Sequence, residues 1–65
     1  FEKAVSDFTQ AIKLEPNDAE AYAARGMAYE ELDKDAEARA DYKRALKIVP
    51  DHADAKEGLE RIGEN

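Results

Sequence analysis

The feature that most constrains this chain is that it repeats itself. Displaced by 34 residues, its first 21 positions fall on a second copy of their own pattern. Ala4 pairs with Ala38, Asp7 with Asp41, Ala11 with Ala45, Lys13 with Lys47, Pro16 with Pro50, Ala19 with Ala53 and Ala21 with Ala55. Phe8 against Tyr42, Ile12 against Leu46, Leu14 against Ile48 and Glu20 against Asp54 keep their chemical character. Seven identities in 21 pairs exceed the roughly one or two that ordinary composition would supply. Alanine abundance accounts for part of the excess, but not for two prolines that each follow an aliphatic-rich segment at the same spacing. A sequence of this kind uses one supersecondary unit more than once, and such a unit buries its apolar face only against a neighbour.

The unit is helical. Over residues 1–15, Phe1, Ala4, Val5, Phe8, Ala11 and Ile12 recur at intervals of three and four, and Pro16 ends the run. Ala21, Tyr22, Arg25, Gly26, Ala28, Tyr29 and Leu32 predict a helix over about 19–32, entered through Asn17 or Asp18 as N-cap, with Glu20 placed for a capping box from Asn17. Asp33-Lys34-Asp35 reads as a turn. A helix over about 35–48 follows, burying Ala38, Tyr42, Ala45, Leu46 and Ile48 and stopped by Pro50. Asp51 and Asp54 repeat the capping signal, and a last helix from about Ala53 to Ile62 offers Ala55, Leu59 and Ile62 to a core before Gly63. No period-two alternation is present, so the fold class is all-α.

Composition narrows the chemistry. With 65 residues there is room for one small domain, and 13 of its 28 apolar residues are alanine, so the core is thin. The net charge of −6 disfavours nucleic acid or an anionic membrane as partner and favours basic or apolar ones. There is no cysteine for a disulfide, a thiolate nucleophile or metal ligation. No apolar run is long enough to span a membrane and no signal-peptide pattern opens the chain, so it reads as soluble, its compartment open with the cytoplasm favoured. Phe1 begins in mid-pattern, which reads as a piece of something longer.

Tyr22-x-x-Arg25-Gly26-x-x-Tyr29, then Ala38-x-x-x-Tyr42, Ala45 and Pro50, resembles the tetratricopeptide repeat. The first 16 residues supply the second half of that pattern again as Ala4-x-x-x-Phe8, Ala11 and Pro16. The resemblance implies a helix-turn-helix solenoid fragment with right-handed superhelical stacking, divided into three parts. Residues 1–15 are the second helix of a truncated repeat, 19–52 one complete repeat, and 53–65 a C-terminal capping helix with a polar outer face that ends the array. Two positions depart from the pattern. Arg25 stands where leucine is usual, tolerable if its stem packs and its guanidinium reaches the surface, and Asp33 stands at the usual turn glycine. Gly26 and Ala45 are small beside the rings of Tyr22, Tyr29 and Tyr42, so a bulky residue at 26 overpacks the contact.

Nothing in the chain assembles a catalytic centre. Ser6 and Thr9 are the hydroxyl nucleophiles outside tyrosine, and His52 reads as a surface turn residue with no second ligand spaced for a metal. Asp33, Asp35, Glu37 and Asp41 alternate like a calcium loop, but Ala38 and Arg44 occupy its required glycine and glutamate. Glu57 and Arg61 are spaced as an i,i+4 pair. The expected activity is therefore non-catalytic, with no cofactor and no metal. In the family resembled, the first helix of each repeat lines a concave groove, which implies that Glu20, Ala23, Ala24, Met27, Glu30 and Glu31 face a protein or peptide across an acidic surface with a small apolar floor. The same positions lack the basic and amide residues of a carboxylate clamp. Lys43, Arg44 and Lys47 form a basic strip without interleaved aromatics, and are read as solvated. The truncated repeat leaves Phe1, Ala4 and Phe8 uncovered, so the alternative function is homotypic assembly through that end, with homo-oligomers as its product.

Overall fold

A computed structural model describes residues 1–63 of the chain. Among them are four helices and no strand: α1 (Glu2–Leu14), α2 (Ala19–Glu31), α3 (Asp35–Ile48) and α4 (Ala53–Arg61). The capping segment expected over 53–65 ends with two residues outside the described range.

The turns explain why the helices start and stop where they do. Between α1 and α2 the Glu15 amide donates to the Ala11 carbonyl at 2.8 Å and the Asp18 amide to Glu15 at 3.1 Å. Between α3 and α4 the Val49 amide donates to Ala45 at 2.8 Å and the His52 amide to Val49 at 3.0 Å, the same two bonds 34 residues on. The caps differ in chemistry. Asp18 caps α2 by accepting from the Ala21 amide at 3.2 Å. At α4 the cap is His52, whose Nδ1 accepts from the Ala55 amide at 3.3 Å, rather than Asp51. His52 is thus not the surface turn residue expected from sequence: its side chain is folded under the start of α4, with Nε2 buried and 3.7 Å from Glu20 Oε1.

The helices α2 and α3 are joined by a turn in which Asp33 takes the left-handed conformation, φ 60°. The Lys34 amide donates to the Tyr29 carbonyl and the Asp33 amide to Glu30, each at 2.9 Å, satisfying two end carbonyls of α2 in the pattern usually built around glycine. Aspartate reaches this conformation at lower cost than most L-residues, which is why the turn closes without a glycine.

The core is made of alanine and tyrosine. Ala19, Tyr22, Ala23, Ala38, Tyr42, Ala45 and Ala55 form the buried cluster, and Ile12, Tyr29, Leu46, Ile48, Leu59 and Ile62 pack on its margins. Small residues let the helices approach, and one ring fills the space between them. Tyr42 is wholly buried between two glycines. A Cβ placed on Gly26 of α2 would lie 2.9 Å from the Tyr42 ring, and one on Gly58 of α4 only 2.3 Å from it. Neither position has room for any side chain without moving the ring. α2 packs most extensively on α3, α4 lies on both, and α1 meets α2 alone among the described residues.

Candidate functional site

The exposed side of α2 is the first candidate. Glu20, Ala24, Met27 and Glu31 follow one another at steps of four, three and four, so they share one face of the helix. Glu20 is 82% exposed along its side chain, Met27 is 45% exposed, Glu31 is exposed and Ala24 is half-buried. At ~1.5 Å of rise per residue the two carboxylates stand about 16 Å apart along the helix axis, with the alanine and the thioether between them. No pocket is present among the described residues, so the stripe is an open face rather than a cavity.

The two remaining residues expected to face a partner are turned elsewhere. Ala23 is 1% exposed and belongs to the same buried cluster as Ala55 of α4, so it is a core residue. Glu30 is engaged within the molecule. It accepts a short hydrogen bond from the Tyr42 hydroxyl, and Arg61 of α4 donates to both of its oxygens, at 2.8 Å to Oε1 and 3.2 Å to Oε2. Arg61, expected to pair with Glu57 on its own helix, therefore reaches across to α2. The hydrogen bond from Arg61 holds the Glu30 carboxyl below the ordinary carboxylate range, against the opposing effect of burial. Burial first, and then the hydrogen bond to Glu30, pushes the Tyr42 hydroxyl well above its usual value, so it stays a donor.

A second polar network lies on the other side of α2. Arg25 does not send its guanidinium to the surface as its place in the pattern suggests. Nε donates to Asp41 Oδ2 at 2.8 Å and one terminal nitrogen to Oδ1 at 2.7 Å, a bidentate pair on a carboxylate whose residue is 4% exposed. The other terminal nitrogen donates to the Thr9 hydroxyl of α1 at 3.2 Å. The same guanidinium stands 5.6 Å from the Tyr22 ring centre and 5.8 Å from that of Tyr29, within cation–π range of both. The hydrogen bond to Asp41 raises the pKa of Arg25 above its ordinary value, against the opposing effect of burial. The inward turn has a physical cause: Asp41 occupies the buried face of α3, and a carboxylate there is tolerable only when paired. The signal available in the sequence was an arginine at an apolar position of one helix and an aspartate on the inner face of the next.

The other singled-out residues play lesser parts. Asp41, the last acid of the calcium-like series, is committed to Arg25. Among the described residues no group of three or more acidic, histidine or cysteine side chains is placed to hold a metal. Arg44, from the basic strip, lies 5.7 Å from the Tyr22 ring centre. No helix of the described residues is long and apolar enough to cross a membrane. At the other end of the chain Phe1 is 68% exposed, and Ala4 and Phe8 are half-buried.

Comparison with known proteins agrees with this architecture. A tetratricopeptide repeat model matches residues 19–52, and a TPR repeat model matches residues 1–33. The chain is similar to RNA polymerase II-associated protein 3 of Mus musculus, 39% identical over 64 residues that make up 98% of this chain and 10% of that protein. It is 40% identical over 62 residues to RNA polymerase II-associated protein 3 of Rattus norvegicus, covering 95% of this chain and 9% of the relative. It is also 35% identical over 65 residues, its whole length, to protein O-mannosyl-transferase TMTC3 of Mus musculus, 7% of which is covered. The chain thus spans about a tenth or less of the length of these relatives. No solved structure matches it significantly. With its signature residues packed on one another around Tyr42 and a family match over residues 19–52, the chain belongs to the tetratricopeptide repeat family.

Proposed function

We propose that this segment is a non-catalytic protein-interaction scaffold that docks a basic or apolar peptide on the outer face of α2. The observation that carries the reading is the Glu20-Ala24-Met27-Glu31 stripe, in which a large apolar side chain stays 45% exposed between two carboxylates. Methionine is unbranched and polarizable and adapts to varied apolar side chains. Carboxylates about 16 Å apart match cationic side chains four residues apart in an extended ligand. That even spacing puts both on one face about 13 Å apart at ~3.3 Å per residue, and the long side chains span the remainder. Glu30 and Ala23 contribute by shaping the helix from within.

The reading is tested by titrating the isotope-labelled chain with a lysine-leucine peptide, Lys-Ala-Leu-Ala-Lys, whose lysines and leucine share one face when extended, and following amide shifts. Binding localised to Glu20, Ala24, Met27 and Glu31, weakened by Glu31→Lys and by Met27→Asp, is the expected result. Shifts elsewhere, or an affinity indifferent to both substitutions, would sink it.

A second reading, homotypic assembly, draws on the exposure of Phe1 and the half-burial of Phe8 at a position where the complete repeat has a wholly buried ring. A molecular mass that stays monomeric in light scattering at high concentration removes it.

A further inference from the structure

The outer side of α3 carries charges that its own helix leaves unanswered. Both α2 and α4 pack on the inner side of α3, where Ala38, Asp41, Tyr42 and Ala45 are buried. On the opposite side Ala36, Glu37, Ala40, Arg44 and Lys47 are exposed. Glu37 and Arg44 are seven positions apart, two turns of helix, so they stand on one side of α3 about 10 Å apart along its axis. Opposite charges on a helix meet at separations of three or four residues, and the residue at that separation from both is Ala40. The one carboxylate of α3 three or four positions from Arg44 is Asp41, and Arg25 already holds it.

Arg44 is also set in place. Its guanidinium stands 5.7 Å from the Tyr22 ring centre, and among the described residues no carboxylate pairs with it. A ring beneath a guanidinium supports its flat face and leaves its N–H edge for an acceptor. Of the four helices, α3 is the one in which basic side chains outnumber acidic ones, four against three. Copies of a chain with a net charge of −6 repel one another, and this is the side on which they approach with least opposition. Beyond about 8 Å the remaining charge is screened at physiological ionic strength.

The pattern is self-complementary. In two such helices laid antiparallel and crossing at Ala40, a two-fold axis sets residue i of one copy against j of the other, and j against i. Glu37, three residues before the crossing, then faces Arg44 of the second copy, four residues after it, and the pair forms twice. Alanine at the crossing lets the axes approach at the short end of the roughly 8–10 Å range.

We propose that the outer face of α3 is a self-association surface, on which α3 of a second copy packs antiparallel about Ala40 through reciprocal Glu37–Arg44 ion pairs. The occupant is a second copy rather than an acidic helix of another protein because the face carries both halves of the pair: a uniformly acidic partner would answer Arg44 and Lys47 but oppose Glu37. A contact of this length without a large apolar anchor belongs with small, transient interfaces. It is separate from the Phe1 end and from the outer stripe of α2, and depends on neither.

Sedimentation equilibrium of the intact chain at low salt, with amide shifts followed on dilution, tests the proposal. The expected result is a mass that rises toward the dimer with concentration, shifts centred on Glu37, Ala40 and Arg44, and weakening by added salt. Glu37→Arg and Arg44→Glu should each weaken association about tenfold or more, because each sets like charges against one another on both sides of the axis. Mixed together, the two variants should pair, since every contact across the axis is then between opposite charges. Ala40→Gln, which holds the helices apart, should also weaken association. Where Arg44→Glu loses helicity at 222 nm, Glu37→Arg and Ala40→Gln decide alone. A mass that stays monomeric, association indifferent to Glu37→Arg, folded variants that fail to pair on mixing, or shifts confined to Phe1, Ala4 and Phe8 would each overturn the proposal. So would a glutamate-rich helical peptide that shifts this face in a chain that stays monomeric, which would make an acidic partner the occupant.

Discussion

The helices α1 and α3 are two versions of one design in different surroundings. Pairs of equivalent residues, Ala4 with Ala38, Asp7 with Asp41, Phe8 with Tyr42 and Ala11 with Ala45, are buried in α3 and exposed or half-buried in α1. The residue types are the same or nearly so, so the contrast isolates what a covering helix does. A helix face of alanine and one ring has little value alone, because most of the water it excludes is excluded only when a neighbour closes over it. The contrast also separates two roles of an acidic side chain. Asp41 is held in a buried ion pair that links α2 to α3, whereas Asp7 is an exposed carboxylate.

The largest test of the contrast is removal of the rings. Tyr42→Ala deletes a wholly buried side chain and should cost about 3–5 kcal/mol, which is comparable with the whole stability of a domain this small. Phe8→Ala, at the half-buried equivalent, should cost no more than about half as much. Urea denaturation followed by circular dichroism at 222 nm distinguishes the two, and similar losses would mean that the open end is as well packed as the centre.

Next in size is the acid pair. Asp41→Ala leaves the Arg25 guanidinium without its carboxylate in a largely buried setting, at a cost of about 2–4 kcal/mol by the same measurement. Asp7→Ala should stay within about 0.5 kcal/mol of the parent. If Asp7→Ala destabilises as much as Asp41→Ala, the two faces are not in different states.

The smallest expected effect concerns Glu30, which belongs to the covered half. Its carboxyl is held below the ordinary carboxylate range by the hydrogen bond from Arg61, so the folded state favours the ionised form. The stability this contributes is fully present above about pH 4.5 and is lost as pH falls through the lower folded value. Arg61 is half exposed along its side chain, which limits the contribution to about 1 kcal/mol or less. Melting curves at pH 7 and near pH 3 should show a smaller acid-induced loss in Glu30→Gln than in the parent. An unchanged loss would place the acid sensitivity elsewhere.

Much of the fold was legible because its information is periodic. The spacing of apolar residues, the two prolines and the Asn17-Asp18 capping signal mark the helices to within a residue or so of where they lie, and the 34-residue register marks their pairing; the structure, not the sequence, selects Asp18 as the cap. What escaped was set by contacts between distant helices. Glu30 has the look of a surface glutamate until Arg61, 31 residues away, is brought to it from α4. Ala23 has the look of a groove residue until α4 closes over that side of α2. Arg25 could be read as a snorkelling side chain because nothing local announces that Asp41 is turned inward. His52 does not announce itself as a cap, because aspartate residues stand on both sides within two positions and imidazole is not among the preferred capping side chains. The candidate face was thus legible in the four residues whose exposure follows from α2 alone, and illegible in the two that depend on α4.

The placement of Tyr42 between Gly26 and Gly58 has a consequence for how the molecule comes apart. Detaching α4 would wet the ring that also seals the central hairpin, so opening at the C-terminal side is tied to global unfolding. Detaching α1 leaves that ring untouched, and the N-terminal helix is free to fray on its own. Amide protons of α4 should accordingly exchange with solvent nearly as slowly as those of α3, although α4 is the shortest helix, while those of α1 exchange sooner.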